Sequence, residues 1–112
     1  MRQKNIFLIS EACDLIKQFT AGKSLADYQN DPLLRSGVER QLEIIGEALG
    51  QAIKHDPSVA GLISSSSRII SFRNRLIHGY ATISDNVVWG VLETNLPVLA
   101  QEVKDRLENT GE

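Results

Sequence analysis

The chain has 112 residues, which is the length of one domain and no more. Hydrophobic residues make up 42% and charged residues 23%, a globular balance that excludes a disordered tail or a fibrous repeat. Twelve Lys and Arg residues oppose fourteen Asp and Glu residues, so the net charge is −2 with neutral histidines. This net charge excludes indiscriminate, high-affinity binding to polyanions. We expect a single domain over residues 1–112.

Cysteine content and hydropathy both indicate a soluble cytoplasmic protein. The single cysteine, Cys13, excludes an intramolecular disulfide, and the chain lacks the ligands of a structural zinc site. Its place at the edge of an apolar helix face predicts a small buried core residue. The apolar stretch at residues 6–9 is too short for a signal peptide, and no run approaches the roughly 18 apolar residues of a membrane span. We predict no membrane contact, no metal and no other cofactor.

Helical periodicity, without the alternation typical of strands, characterises the first half of the chain. A helix is predicted over residues 5–20, ending before Gly22, with an apolar face of Leu8, Ile9, Ala12, Leu15, Ile16 and Phe19. Asp31 and Pro32 begin a second helix, because the aspartate caps free amides and proline is favoured in the first turn. That helix runs to about Lys54, with a buried side of Leu34, Val38, Leu42, Ile45, Leu49 and Ile53.

The second helix carries charges opposite its buried side, and it also contains glycines. Its charged residues lie at spacings of three, four and seven, within ion-pairing reach of one another: Arg40, Glu43 and Glu47. Its glycines weaken the helix unless another backbone packs close to them: Gly37, Gly46 and Gly50.

The second half of the chain predicts two further main helices. Asp56-Pro57 begins a short turn of helix, and residues 64–67 form a polar break. A third helix covers residues 68–77 and stops at Gly79. A fourth begins at the Ser84-Asp85 cap and runs to about residue 107.

Two apolar stripes run along the fourth helix, which is expected to kink at Pro97. The main stripe consists of Trp89, Leu92, Leu96, Leu99, Val103 and Leu107. The second stripe, offset by roughly 100° or more on an ideal wheel, consists of Val87, Val91 and Val98. It is either a homodimer face, which we favour, or is merged with the first by the kink. The fold class is therefore all-α, an up-and-down bundle of four main helices plus short helical turns that forms a homodimer.

The segment from Arg68 to Tyr80 concentrates the candidate chemistry. No acidic residue lies between Asp56 and Asp85. The cationic and titratable residues of that stretch are Arg68, Arg73, Arg75 and His78. This local positive charge inside a net-negative protein favours the binding of an anion such as phosphate.

Arg73 lies in the middle of the apolar arc of the third helix. The arc consists of Ile69, Ile70, Phe72, Leu76 and Ile77. Because burying an unpaired guanidinium is costly, Arg73 either pairs with an acid such as Glu43 or Glu47 or lines a cleft between helices or subunits. Arg68 and Arg75 lie together on the other side, where solvated surface charge is the simplest interpretation.

Asn74 and His78 share a helix face at i, i+4 spacing, and Gly79 would let the helix unwind so that the imidazole swings toward Arg73. An imidazole moves protons near neutral pH, and a guanidinium holds a phosphodiester and stabilises its transition state. Together they suffice for metal-free RNA cleavage by the neighbouring 2′-hydroxyl. A symmetric dimer would supply a second histidine. The alternative is a structural helix end whose Arg73 and His78 only satisfy local carbonyls and carboxylates.

Arg73-Asn74 followed by His78 and Tyr80 fits the pattern R-x-x-x-x-H-x-Y and resembles the HEPN superfamily, in particular the HepT-like toxins. Residues 40–48 (RQLEIIGEA) resemble the second-helix signature of that family, and residues 88–89 with 96–99 resemble its last helix. The similarity spans most of the chain in the same order. The polar run at residues 64–67 departs from the family pattern.

The resemblance implies a dimeric bundle whose two motifs line a shared cleft. It implies the toxin of a type VII toxin–antitoxin system, a metal-independent endoribonuclease that an MntA-type nucleotidyltransferase neutralises by AMPylation. On this sequence Arg73 and His78 become the catalytic pair, Asn74 a supporting residue and Tyr80 the modified residue. A bulky, negatively charged adduct on that tyrosine would occupy the phosphate site and repel RNA.

The second helix adds candidates for orienting Arg73 or for an ion-pair network across the dimer, namely Arg40, Glu43 and Glu47. The alternative function within the same superfamily is a non-catalytic module that binds a nucleotide or serves as a scaffold for the nucleotidyltransferase.

Overall fold

Residues 2–78 and 83–109 are described by the computed structural model, and within these ranges the chain forms seven α-helices, one π-helical turn and no strand. The elements are α1 (Arg2–Thr20), α2 (Leu25–Gln29), α3 (Pro32–His55), α4 (Val59–Leu62), α5 (Ser66–His78), α6 (Asp85–Gly90), the π turn (Val91–Asn95) and α7 (Leu96–Asn109). The predicted all-α class is confirmed. No helix in the described ranges is long and apolar enough to cross a membrane.

The core forms where α1 packs against α3 and α7, and α5 packs against α3. The side chains that are almost fully buried include Ile9, Ile16, Val38, Ile45, Leu49 and Val103. Burying a side chain of this size contributes about 1.5–3 kcal/mol, so this interior dominates the stability of the bundle.

The predicted apolar face of α1 is only partly correct. Ile6 and Cys13 are buried, whereas Leu15 is 37% and Phe19 36% exposed. The buried stripe is turned toward the space between α3 and α7, which leaves Leu15 and Phe19 at its flank. The ring of Phe19 instead packs beside Gly37, where an added Cβ would lie 3.4 Å from ring carbon Cε2.

Cys13 is the small core residue that its position predicted. Burial raises the pKa of its thiol to about 12, and the charge of Asp14 contributes in the same direction. The thiol is therefore protonated at neutral pH, a state in which it is a poor nucleophile.

The short helix α2 has no counterpart in the sequence-based prediction. Ser24 and Asp27 form a capping box, in which the Ser24 side chain accepts from the Asp27 amide and the Asp27 carboxylate accepts from the Ser24 amide. The helix buries Tyr28 completely, and its ring lies 5.5 Å from that of Trp89 between centroids. This segment therefore covers the N-terminal end of the last helical rod.

The last rod consists of α6, the π turn and α7 in direct succession. As predicted, Ser84 caps it, because its hydroxyl accepts from the Val87 amide at 3.2 Å. The π turn immediately precedes α7 and Pro97, so the helical hydrogen-bond pattern widens just before the residue that has no N–H to donate. Val87 and Val98 remain 47% and 49% exposed, so the Pro97 region does not merge the second stripe with the core.

The third predicted helix begins two residues earlier than expected, at Ser66. Its hydroxyl donates to the Ala60 carbonyl at 3.4 Å, and the residue is buried. Part of the expected polar break at residues 64–67 is therefore the first turn of α5.

We predict that Glu39→Gln stabilises the protein at pH 7 by less than about 1 kcal/mol. Burial raises the pKa of Glu39, and the charges of Asp85 and Glu43 raise it further. The native state therefore retains this proton to higher pH than the unfolded state, and stability falls as pH rises through the interval above the ordinary value of 4.5.

Urea unfolding at pH 7 and near pH 3.5 checks the expected effect of Glu39→Gln. The gain is expected to vanish at the lower pH, where the carboxyl is protonated in both states. Glu11→Gln, on the exposed side of α1, controls for the change in net charge. A variant that is less stable than the parent at pH 7 would contradict the prediction.

Candidate active site

Helix α5 packs very closely against α3 at Gly46. A Cβ added at Gly46 would lie 2.2 Å from Cβ and 2.5 Å from Cγ of Arg73. The absent side chain therefore lets the aliphatic stem of Arg73 rest directly on the α3 backbone. The expectation of close packing holds at Gly46 but not at Gly50, where an added Cβ would meet nothing within 4 Å.

The guanidinium of Arg73 is held by one residue on α3 and one on its own helix. Nη2 donates to Oε1 of Glu47 at 2.5 Å, and Nη1 donates to Oδ1 of Asn74 at 3.1 Å. Arg73 was expected either to pair with Glu43 or Glu47 or to line a cleft, and the structure shows the ion pair with Glu47. The Arg73 side chain is 26% exposed and that of Glu47 is 54% exposed, so solvent reaches this pair.

A groove of about 370 Å³ lies beside this ion pair. Its charged lining consists of Arg40, Glu43, Glu47 and Arg73. Nη1 of Arg40 pairs with Oε1 of Glu43 at 3.4 Å, one turn along α3 from Glu47. The three charged residues predicted on the second helix therefore line the same groove as Arg73, and Glu47 is the one that contacts it.

His78 is the last residue of α5 and is exposed, one helical turn beyond Asn74. Residues five apart on a helix project about 140° from each other, so Arg73 and His78 leave α5 on different sides. Arg73 points at α3, and the helix continues through His78. The expected unwinding at Gly79 and the expected modification site Tyr80 lie outside the described residues.

The two arginines on the other side of α5 are exposed to solvent, as their positions on the helix predicted. Arg68 and Arg75 are both exposed. In residues 2–78 and 83–109, no group of three or more His, Cys, Asp or Glu side chains is arranged to hold a metal ion. The described functional side chains of α5 are a paired guanidinium, two exposed guanidinium groups and the imidazole at the end of the helix.

Residues 9–106 match the sequence model of a protein family described as Ribonuclease HepT-like. This chain belongs to the HepT-like ribonuclease family. The match includes the whole of α3 and α5, and hence Gly46, Glu47, Arg73 and His78. Membership confirms the resemblance found in the sequence and the predicted enzyme class, an endoribonuclease.

Individual HepT-like relatives agree with the family match over most of their length. A protein of Thermococcus cleftensis named "Probable ribonuclease HepT" is 32% identical over 91 residues, which cover 81% of this chain and 82% of that protein. A protein of Caldanaerobacter subterraneus subsp. tengcongensis named "Putative RNase TTE0752" is 29% identical over 100 residues, which cover 89% of this chain and 88% of that protein. No solved structure shows a significant match.

Proposed function

We propose that this HepT-like chain cleaves RNA without a metal ion, with Arg73 and His78 acting on the scissile phosphodiester. The observation that carries the proposal is the guanidinium of Arg73, which Glu47 and Asn74 hold at the wall of an open groove. A guanidinium held in this way contributes fixed positive charge where a phosphorane transition state accumulates negative charge.

In the proposed reaction, His78 accepts the proton of the 2′-hydroxyl, and the 2′-oxygen attacks the adjacent phosphorus. The bond from phosphorus to the 5′-oxygen breaks, and that oxygen leaves with a proton supplied by a general acid. The products are a 2′,3′-cyclic phosphate and a 5′-hydroxyl, so the RNA itself supplies the nucleophile. The general acid is the second His78 of a homodimer, because each chain offers one histidine in the motif.

The homodimer is proposed from two features of the described chain. Arg73 and His78 of one chain project from different sides of α5. Two copies placed face to face would bring the guanidinium and both imidazoles to one phosphate. Val98 of the second apolar stripe is half exposed on α7 and is suited to contact with a second copy. Light scattering at micromolar concentration should give about twice 12.4 kDa, and a clean monomer would contradict the dimer.

As a finer proposal, the chain is the toxin of a type VII toxin–antitoxin system whose MntA-type partner AMPylates Tyr80. The tyrosine hydroxyl would attack the α-phosphate of ATP and release pyrophosphate, which leaves an AMP ester two residues beyond His78 in the sequence. Its negative charge would repel the phosphate of the substrate. Mass spectrometry after coexpression should show AMP on Tyr80, and an unmodified tyrosine would contradict this step.

The nuclease is tested with a 5′-labelled RNA oligonucleotide in excess EDTA. Cleavage to products that end in a 2′,3′-cyclic phosphate is expected, and a single 2′-deoxy substitution at the cleaved nucleotide should block it. Cleavage that requires a divalent metal would contradict the proposed chemistry. Complete inactivity with tight nucleotide or partner binding would instead favour the non-catalytic module.

A further inference from the structure

A second groove lies between α5 and the rod formed by α6 and the π turn, on the side of α5 opposite Arg73. Its volume is about 560 Å³. The polar side chains in its lining are Ser67, Arg68, Ser71, Arg75 and Asn95. Their helical spacing predicted Arg68 and Arg75 together on the solvated side of the helix, and the fold makes them part of one concave surface.

The charge of this groove is not compensated by nearby acids. No acidic residue lines it, and neither Arg68 nor Arg75 forms an ion pair with a residue in the described part of the chain. Arg73 differs, because Glu47 orients its guanidinium and offsets part of its charge. The groove therefore holds positive charge that remains available to an external anion, and a concave surface with hydroxyls and arginines suits a phosphodiester.

We propose that this groove binds the backbone of single-stranded RNA and forms a track that directs the strand toward His78. Arg68 and Arg75 lie two helical turns apart, about 10.5 Å along the axis, so each reaches a different phosphate of one strand. Ser71 lies between them on the same face, and His78 follows Arg75 at i+3 spacing on that face. The inference rests on the proposed nuclease and names the residues that deliver its substrate.

The floor of the groove suits nucleobases and distinguishes RNA from a second copy of the chain. Phe72 and Val91 line this groove and also an adjoining apolar recess, so an aromatic side chain lines the groove together with the arginines. Single-stranded nucleic acid binds well to surfaces that combine positive charge with an aromatic side chain. A second copy docked symmetrically here would bring its own Arg68 and Arg75 against these, which is a repulsive arrangement.

The track is tested by RNA affinity in a His78→Ala background, which keeps the oligonucleotide intact during the measurement. Arg68→Gln/Arg75→Gln is compared with Lys23→Gln/Lys54→Gln, a matched change in charge at exposed positions away from the groove. Fluorescence anisotropy with a labelled single-stranded RNA is expected to show at least about tenfold weaker binding for the arginine pair alone. The slope of log K against log salt should also become shallower by about 1.4, which is the value for two lost phosphate contacts.

Equal affinity of the arginine and lysine variants would overturn the track. A change in oligomeric state with retained RNA affinity would also overturn it and assign the groove to a second copy of the chain. Cleavage in EDTA by the His78-containing proteins is measured separately. A cleaving enzyme whose affinity ignores the arginines refutes only the track, and an inactive protein whose affinity requires them refutes only the nuclease.

Discussion

Replacing His78 with alanine is expected to slow RNA cleavage by about 10²–10⁴-fold, the usual contribution of a positioned general acid or base. In the proposed dimer each site loses both imidazoles, which places the loss toward the upper end. His78 is the exposed last residue of α5, so the fold should survive its truncation. Initial rates in EDTA, together with a thermal unfolding curve for each protein, measure the two effects independently.

The chain provides a matched control in its other histidine. His55 is exposed in the last turn of α3 and lines neither of the two grooves described beside α5. His55→Ala is therefore expected to cleave RNA at the parent rate. If the two variants cleave equally fast, His78 has no catalytic role, and Arg73 remains a residue of the helix interface.

The second large effect is structural and concerns Gly46. Gly46→Ala is expected to destabilise the protein by about 1–3 kcal/mol, because overpacking a tight contact forces the backbone to move. The new Cβ would lie 2.2 Å from Cβ of Arg73, and the stem of an α5 residue cannot retreat without shifting that helix. The ion pair with Glu47 should be displaced at the same time, so RNA cleavage is expected to fall with stability.

Gly50→Ala, one turn further along α3, separates this clash from the general effect of adding a methyl group to the helix. Nothing lies within 4 Å of a Cβ at Gly50, so only the helix propensity changes there. A gain of about 0.5–1 kcal/mol is expected. Urea unfolding of both variants provides the comparison, and a stabilised Gly46→Ala protein would show that α5 packs elsewhere.

The long helices could be predicted because their signals are local. Asp31 accepts hydrogen bonds from the amides of Leu33 and Leu34 at 3.1 Å, as its position before a proline indicated. The helix α2 was missed because five residues give no periodicity, although Ser24 and Asp27 already have capping-box spacing. The exposure of Leu15 depends on how α1 is rotated between two neighbours, which a helical wheel does not contain.

The site was predictable to the extent that it lies on one helix. Because Arg73 lies on the apolar face of α5, the sequence predicts that it has an acidic partner or lines a cleft. Which acid it pairs with depends on the close packing at Gly46, which brings it to Glu47 and not to Glu43. The RNA track could not be inferred in the same way. It combines residues 67–75 with residues 87–95, and no local pattern relates segments that the tertiary fold brings together.

Because Gly46 and Arg73 are in contact, the residues tolerated at these two positions, which are 27 residues apart in the sequence, depend on each other. Any side chain at position 46 would occupy the space of the arginine stem, so a substitution of Gly46 requires α3 and α5 to move apart first. That separation would withdraw Glu47 from the guanidinium. A lineage that keeps an arginine at this crossing is therefore constrained to keep a glycine opposite it, and the two are expected to be lost together.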